Sequence, residues 1–383
     1  MGEGVKSELS HSDDLRIGCS VFSVPSLVKN RDSPRAMPDP LALLLKNQGL
    51  TEPLPDPDAA LERVVAVQTQ YAQSLEIALA ARSKKRLKGW EMRGLAPEGH
   101  LHKSWGLRHT LHTHGPQGWA LVHGAVGEIM NARHHRRMRE FPEFDAHAIE
   151  ARILEILAEG PRTRPEIHAR IPGLENLHGV GWGRDVAGLA FQGRLKVVGR
   201  GAEQRFALAN PPLSSGGEGP GVRGLESLLH AYLRAYGPAT VKDFSHWTNL
   251  PQRDVSPVFA AIRDRLLEID GGFALDMNEA PAPPAAILLA KFDPLVLGHA
   301  DKTRWLAPEH YKRVFRIAAQ VEAVVLLRGR AAATWRLARK ANRATVTIEP
   351  FRALRPPERR AIERAAAKLG ASIGWGEVEI EYL

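Results

Sequence analysis

Residues 148–209 read AIEARILEILAEGPRTRPEIHARIPGLENLHGVGWGRDVAGLAFQGRLKVVGRGAEQRFALA. Apolar residues recur at helical spacing through AIEARILEILAEG, Thr163 offers an N-cap to PEIHARI, and a third helix follows around DVAGLAFQGRL. The last piece, KVVGRGAEQRFALA, alternates, turns at Gly199 and Gly201 and alternates again, as a β-hairpin does. Residues 225–275 repeat the order with LESLLHAYLRAYG, Thr240 opening VKDFSHWT, PQRDVSPVFAAIRDRLLEID and a short GGFALD strand. Three helices and a hairpin form the winged-helix order, a helix-turn-helix with a β wing.

Outward from this repeat, NPPLSSGGEGPGVRG has the composition of a linker, placed at 211–224 between winged helices at 146–210 and 225–284. Upstream, Leu41, Leu43, Leu44, Leu45 and Leu50 form one apolar stripe, and Leu61, Val64, Val65, Val67, Leu75, Ile77 and Leu79 continue it after the PLPDPD turn. Two or three helices are expected there, at the start of a first winged-helix-like domain at 39–145. Residues 1–38 show no sustained periodicity and read as a flexible N-terminal arm. Downstream, AAILLA, AVVLLRG, AAATWRLA, RATVTIEPF and EVEIEYL are five strand-like runs, with the helix PPERRAIERAAAKLGASI before the last. The expected fold class is α+β and mostly helical, with tandem winged-helix domains followed by a small β-rich C-terminal domain at 285–383.

The chain has 383 residues, a net charge of +9, 44% hydrophobic and 25% charged residues. That balance excludes collagenous, fully disordered and disulfide-scaffold classes. No window suits a membrane span, and MGEGVKSELSHSDDL has no apolar signal core, so neither export nor membrane insertion is expected. The single cysteine, Cys19, excludes an intramolecular disulfide and any zinc site needing two thiolates, and suits a reducing compartment. The positive excess favours polyanionic partners.

If the repeat is a DNA reader, Arg184 and Gln192 of its third helix and Lys196, Arg200 and Arg205 of its wing suit phosphate contact, although winged helices also serve as scaffolds. The basic run ARHHRRMRE at 132–140 reads as a solvated helix face. Residues 100–114 hold His100, His102, His109, His112 and His114. On a helix His109 and His112 would share a face; on a strand His112 and His114 would. No carboxylate or thiolate stands nearby, so lining a nucleic-acid cleft is expected rather than metal binding. In VQTQ at 67–70, the two amides point the same way only on an extended chain.

Together, VQTQYAQSLEIALAARS, KSWGLRHTLHTH, KFDPLVLGHADKTRWL and RGRAAATWRLARK resemble, in order and spacing, the signatures of the winged-helix DNA glycosylases of the AlkZ and YcaQ type. The resemblance runs from about residue 39 to 383. It implies excision of alkylated bases, mainly guanines substituted at N7, and unhooking of interstrand crosslinks made through N7. It implies a catalytic pair at Gln68 and Gln70, the Gln-x-Gln form of the AlkZ branch, and DNA contacts from Arg108, His109, His112, His299, Lys302, Arg304, Trp335 and Arg336. His109 stands where the family usually has a small residue. No metal and no cofactor are implied. The implied partner is double-stranded DNA, met by a monomer in a bacterial cytoplasm beside the nucleoid.

The chemistry is consistent with these residues. Alkylation at N7 makes guanine cationic, so it leaves without protonation, and the sugar moves toward an oxocarbenium ion. Only a water on the far face has to be held, which two side-chain amides can do by positioning rather than basicity. A lyase mechanism is disfavoured, since the Gln-x-Gln segment holds no lysine and Lys84 lies outside it. The rival from another class is a non-catalytic DNA-binding regulator or scaffold, which has no use for the amide pair.

Overall fold

A computed structural model describes residues 38–180, 183–209, 222–340 and 342–383. The expected arm, all but its last residue, and most of the expected linker lie outside the described residues.

Helix α1 (Pro40–Asn47) starts at Asp39, whose carboxylate accepts the Leu41 N–H at 3.1 Å, and buries Leu41 to Leu45. Asp56 caps α2 (Pro57–Val64) in the same way, through the Ala59 N–H. Val65, at φ 68°, then turns the chain into strand β1 (Val67–Gln68). Helices α3 (Ser74–Ala80) and α4 (Trp90–Gly94) follow. Strands β2 (His102–Trp105) and β3 (Leu111–His114) form a hairpin closed by a 3-10 turn at Leu107–His109. The long α5 (Pro116–Met138) begins on Glu62 of α2, whose carboxylate accepts the Gln117 and Gly118 N–H groups at 3.0 and 2.8 Å.

The segment that decided the fold forms α6 (Ala146–Ala158), α7 (Arg164–His168), α8 (Leu174–Val180), α9 (Ala187–Phe191), β4 (Leu195–Val198) and β5 (Arg205–Leu208), one helix more than expected. Thr163 caps α7 in a capping box with Glu166. The β4–β5 hairpin does not stand free. Val197 pairs with Lys103, and the strands join in one five-stranded sheet ordered β1-β3-β2-β4-β5. All of β4 is therefore buried, and Lys196 is turned inward, its Nζ donating to the Pro97 carbonyl at 2.9 Å. Arg200 pairs with Glu76 and Glu91, and Arg205 with Glu166. The phosphate-contact role expected of Lys196 is corrected on this ground: its ammonium faces protein.

The repeat gives α10 (Val222–Tyr236), α11 (Val241–Thr248), α12 (Gln252–Ile262) and the hairpin β6 (Leu267–Ile269) to β7 (Gly272–Ala274), with a second capping box at Thr240 and Asp243. The C-terminal sheet holds β8 (Ala286–Leu289), β9 (Ala323–Leu327), β10 (Arg330–Lys340), β11 (Arg343–Pro350) and β12 (Glu377–Tyr382), in the order β12-β11-β10-β9-β8. Short helices α13 (Pro294–Leu297) and α14 (Tyr311–Val314) lie between β8 and β9. Helix α15 (Pro356–Ile373) makes the crossover that the parallel pairing of β11 with β12 requires.

The cores cross the boundaries expected from sequence. One runs from Val65 to Leu266, through the β2–β3 hairpin, α5 and both repeats. Another joins Leu61, Val64 and Leu75 to Val325, Trp335, Val346 and Ile362 of the C-terminal region. On the other side, Leu41, Leu44 and Leu45 pack with Leu289, Val324 and Leu326. A fully buried ion pair pins these layers together. Both guanidinium Nη atoms of Arg82 meet the Asp293 carboxylate, at 2.7 and 3.0 Å, and Gln48 and the Ala78 carbonyl take further Arg82 protons. Asp293 also caps α13 through the Leu295 N–H. Among the described residues no helix is long and apolar enough to cross a membrane.

Candidate active site

Gln68 ends β1, opposite His112 of β3, and the chain stays extended enough for Gln68 and Gln70 to share a side. The Gln68 Nε2 donates to the Gln70 Oε1 at 2.6 Å. Gln68 is buried and Gln70 exposed, so the pair runs from the protein interior to its surface.

The orientation of both amides follows from one neighbour. Arg108 can only donate. Its Nη2 lies 3.1 Å from the Gln68 Oε1, which forces oxygen to that side and turns the Gln68 NH2 toward Gln70. Gln70 must then receive with its own oxygen. Arg108 is held in turn by the Trp247 carbonyl at 3.0 Å and by the His112 Nε2 at 3.2 Å. The Thr110 carbonyl, 2.9 Å from the His112 Nδ1, fixes the tautomer with its proton on Nδ1 and leaves Nε2 to accept. Burial, with the Arg108 charge beside it, pushes the His112 imidazole down to about 3. Burial lowers Arg108 to about 10, so the guanidinium stays charged at neutral pH. The turn that delivers Arg108 is strained. Arg108 and His109 both lie in the left-handed region, at φ 55°, at a cost of about 1 kcal/mol or more each.

Beside Arg108 lies Lys302, whose Nζ donates to the His299 carbonyl and faces the Phe315 ring. Burial, followed by the repulsion of Arg108, pushes it down to about 7. His246 of α11 is exposed at its surface, yet the protein packed around it, followed by the charges of Lys302 and Arg108, holds it down to about 4. On the outer side, Tyr71 follows Gln70. Its ring stacks on Phe292, its hydroxyl donates to the Gln320 Oε1 at 2.5 Å, and the Lys291 ammonium lies 4.9 Å from its centroid. Tyr71, Lys291 and Arg336 line an open cavity of about 400 Å³ next to the pair.

Of the residues expected to form the site, Gln68, Gln70, Arg108 and His112 come together, with Lys302 adjacent and Arg336 exposed on the rim. Four expected DNA contacts are corrected. Trp335 is 1% exposed in the C-terminal core, its Nε1 donating to the Leu289 carbonyl at 2.8 Å, so it cannot stack on a base. His112 is buried and spent on Arg108 and Thr110. His299 is buried, with Nε2 on the Tyr236 carbonyl at 2.8 Å, and Lys302 is buried over Phe315. His109 meets Phe191 edge to face in a separate cavity with His134, Arg137 and Arg184. Arg304 binds the Pro238 carbonyl and, with His299 and Lys242, lines a third cavity of about 660 Å³. Sequence reasoning missed Tyr71, Lys291, His246 and the Trp247 carbonyl. Tyr71 had a signal, since it directly follows the Gln-x-Gln motif.

A family profile described as DNA glycosylase AlkZ-like matches residues 61–372. The chain is similar to an interstrand DNA cross-link repair glycosylase of Streptomyces sahachiroi, 28% identical over 353 residues, covering 84% of this chain and 93% of that protein. The solved structure of Streptomyces sahachiroi DNA glycosylase AlkZ is similar in fold, with a TM-score of 0.74 at 24% identity over 90% of this chain and 98% of that one.

Proposed function

The chain belongs to the AlkZ-like DNA glycosylase family, and from that premise we propose that it hydrolyses the N-glycosidic bond of N7-alkylated guanine in duplex DNA, with Gln68 and Gln70 holding the attacking water. The observation that carries this reading is the 2.6 Å contact between the two amides, oriented by Arg108 and open to the surface only at Gln70. One lone pair of the Gln70 Oε1 is taken by Gln68, which leaves the other lone pair and the Nε2 protons for a water. A neutral amide removes no proton before the bond breaks, so the reaction depends on a leaving group that is already cationic. That restriction is a selectivity device: an unmodified guanine leaves as a poor anion and stays in place.

The relative named for interstrand cross-link repair supports extending the substrate to crosslinks made through N7. The helices and hairpins of 146–210 and 225–284 are read as winged helices, and 39–145 as a third, winged-helix-like domain, with 285–383 closing the chain. Acting as a monomer beside the bacterial nucleoid fits the +9 charge. The rim cations Lys291 and Arg336 replace Lys302 as the phosphate contacts nearest the pair.

The test is incubation with duplex DNA carrying N7-methylguanine, in EDTA, followed by alkaline cleavage at abasic sites. Release is expected. Gln68→Ala or Gln70→Ala should lower the single-turnover rate by about 10²-fold or more and leave duplex binding nearly unchanged. Gln70→Asp should retain or broaden activity, since it supplies a true base. A folded double alanine variant excising at the parental rate refutes the assignment.

A further inference from the structure

Helices α5 and α6 approach one another where α5 ends and α6 begins. His135 stands in the last turn of α5, while His147 and Glu150, three residues apart, share one face at the start of α6. The His135 Nε2 lies 2.8 Å from the Glu150 Oε1, and the His135 and His147 rings meet edge to face at 4.4 Å. One donor atom from each of the three lies within 4.8 Å of the others. Two further contacts are built around the carboxylate. The Gln192 Nε2 donates to the Glu150 Oε2 at 3.0 Å, the kind of outer hydrogen bond that orients a metal-binding carboxylate. Gly188 of α9 leaves the carboxylate its room, since a Cβ there would stand 1.9 Å from the Glu150 Oε1.

We propose that His135, His147 and Glu150 bind one first-row divalent transition cation, with zinc the preferred ion, as a clasp between α5 and α6. Two imidazoles and one carboxylate suit zinc, whereas magnesium and calcium select oxygen donors. Ligands about 2.0–2.2 Å from a tetrahedral zinc stand roughly 3.3 Å from one another. The pair at 2.8 Å is already near that spacing, and the exposed His147 closes the remainder by rotating its side chain. The fourth position stays open to water. None of the three ligands is a hydrogen-bond partner of Gln68, Gln70 or Arg108, so the clasp is separate from the excision chemistry. It bears instead on the joint between the long helix and the first of the two repeats. The sequence points to a metal-free chain through its single cysteine and the lack of a His cluster with a carboxylate; these three side chains come from two helices, and neither HH at 134–135 nor HAIE at 147–150 is a ligand motif alone.

The experiment uses the full chain, stripped with chelator and dialysed, then titrated with zinc chloride by calorimetry and followed by thermal melting. One zinc per chain, bound in the micromolar range or tighter, is expected, with a rise in Tm of about 2 °C or more at 100-fold excess over Kd. Magnesium should leave the melt unchanged. His147→Ala, a change at an exposed side chain, should weaken zinc at least about tenfold and abolish the Tm rise, and Glu150→Gln should do the same. Excision by the stripped and loaded proteins should be equal. Absence of stoichiometric zinc overturns the proposal, as does binding that survives both substitutions.

Discussion

Arg108 decides which atoms of the Gln68 and Gln70 amides face each other, because its guanidinium has protons to give and none to accept. Arg108→Lys keeps the charge but cannot reach the Gln68 Oε1, the His112 Nε2 and the Trp247 carbonyl from one ammonium. The Gln68 amide is then free to flip, and under the proposed mechanism the water loses its holder. The single-turnover rate should fall roughly tenfold or more, with duplex affinity within about twofold of the parent. An unchanged rate would remove Arg108 from the positioning role. Nothing in LRHTLH reveals this relay in advance. The relay depends on a left-handed backbone at Arg108 and on β1 lying against β3, which are features of the folded chain.

At the level of elements, local signals are legible in the sequence and long-range ones are not. The Thr163 and Thr240 caps and all five C-terminal strands could be read, because a cap spans three residues and an alternating run a few more. The pairing of Lys103 with Val197 could not, because no local pattern in β4 names its partner. Trp335 and Arg336 show a rule that could have been applied: neighbours on a strand face opposite ways, so only one can meet DNA. Trp335 faces the core and Arg336 faces out. Strand β10 therefore lends Arg336, and not a stacking Trp335, to the exposed side of the cavity that Lys291 also lines. If both face phosphates, Arg336→Ala and Lys291→Ala should each flatten the dependence of log binding constant on log salt by about one. Arg82→Lys, far from solvent in its ion pair with Asp293, should leave that slope alone. Equal slopes for all three would place the DNA elsewhere.

Across the whole molecule, buried imidazoles set a limit on acid tolerance. Burial holds His102, His123 and His299 down to about 4, and His112 to about 3, against an ordinary 6.5. Between those values the unfolded chain binds more protons than the folded one. Stability is therefore complete above about pH 6.5 and falls as the pH drops toward 4. Each tenfold loss of proton affinity on folding corresponds to roughly 1.4 kcal/mol, so several such groups together rival the typical stability of about 5–15 kcal/mol. Near-UV circular dichroism should show cooperative loss of tertiary structure between about pH 6 and pH 4. A native spectrum retained at pH 3.5 would contradict the burial of these rings. Neither amide titrates, so the change expected in the chemical step between pH 6.5 and 9 is a single one near pH 7, where Lys302 beside Arg108 loses its charge.

The packing of α2 and α3 against the C-terminal sheet also governs the order in which the enzyme comes into being. Leu61 and Leu75 flank the Gln-x-Gln strand, yet their partners Val325, Val346 and Ile362 are made about 250–300 residues later. At about 5–20 residues per second, synthesis runs for roughly 15–60 s between the two. The Gln-x-Gln strand is thus made well before the residues that complete the core beneath it. A chain released early carries both glutamines and no floor to hold them. A fragment that ends before β10 lacks Trp335, Val346 and Ile362 of that shared core, and it is expected to show no base excision in the N7-methylguanine assay.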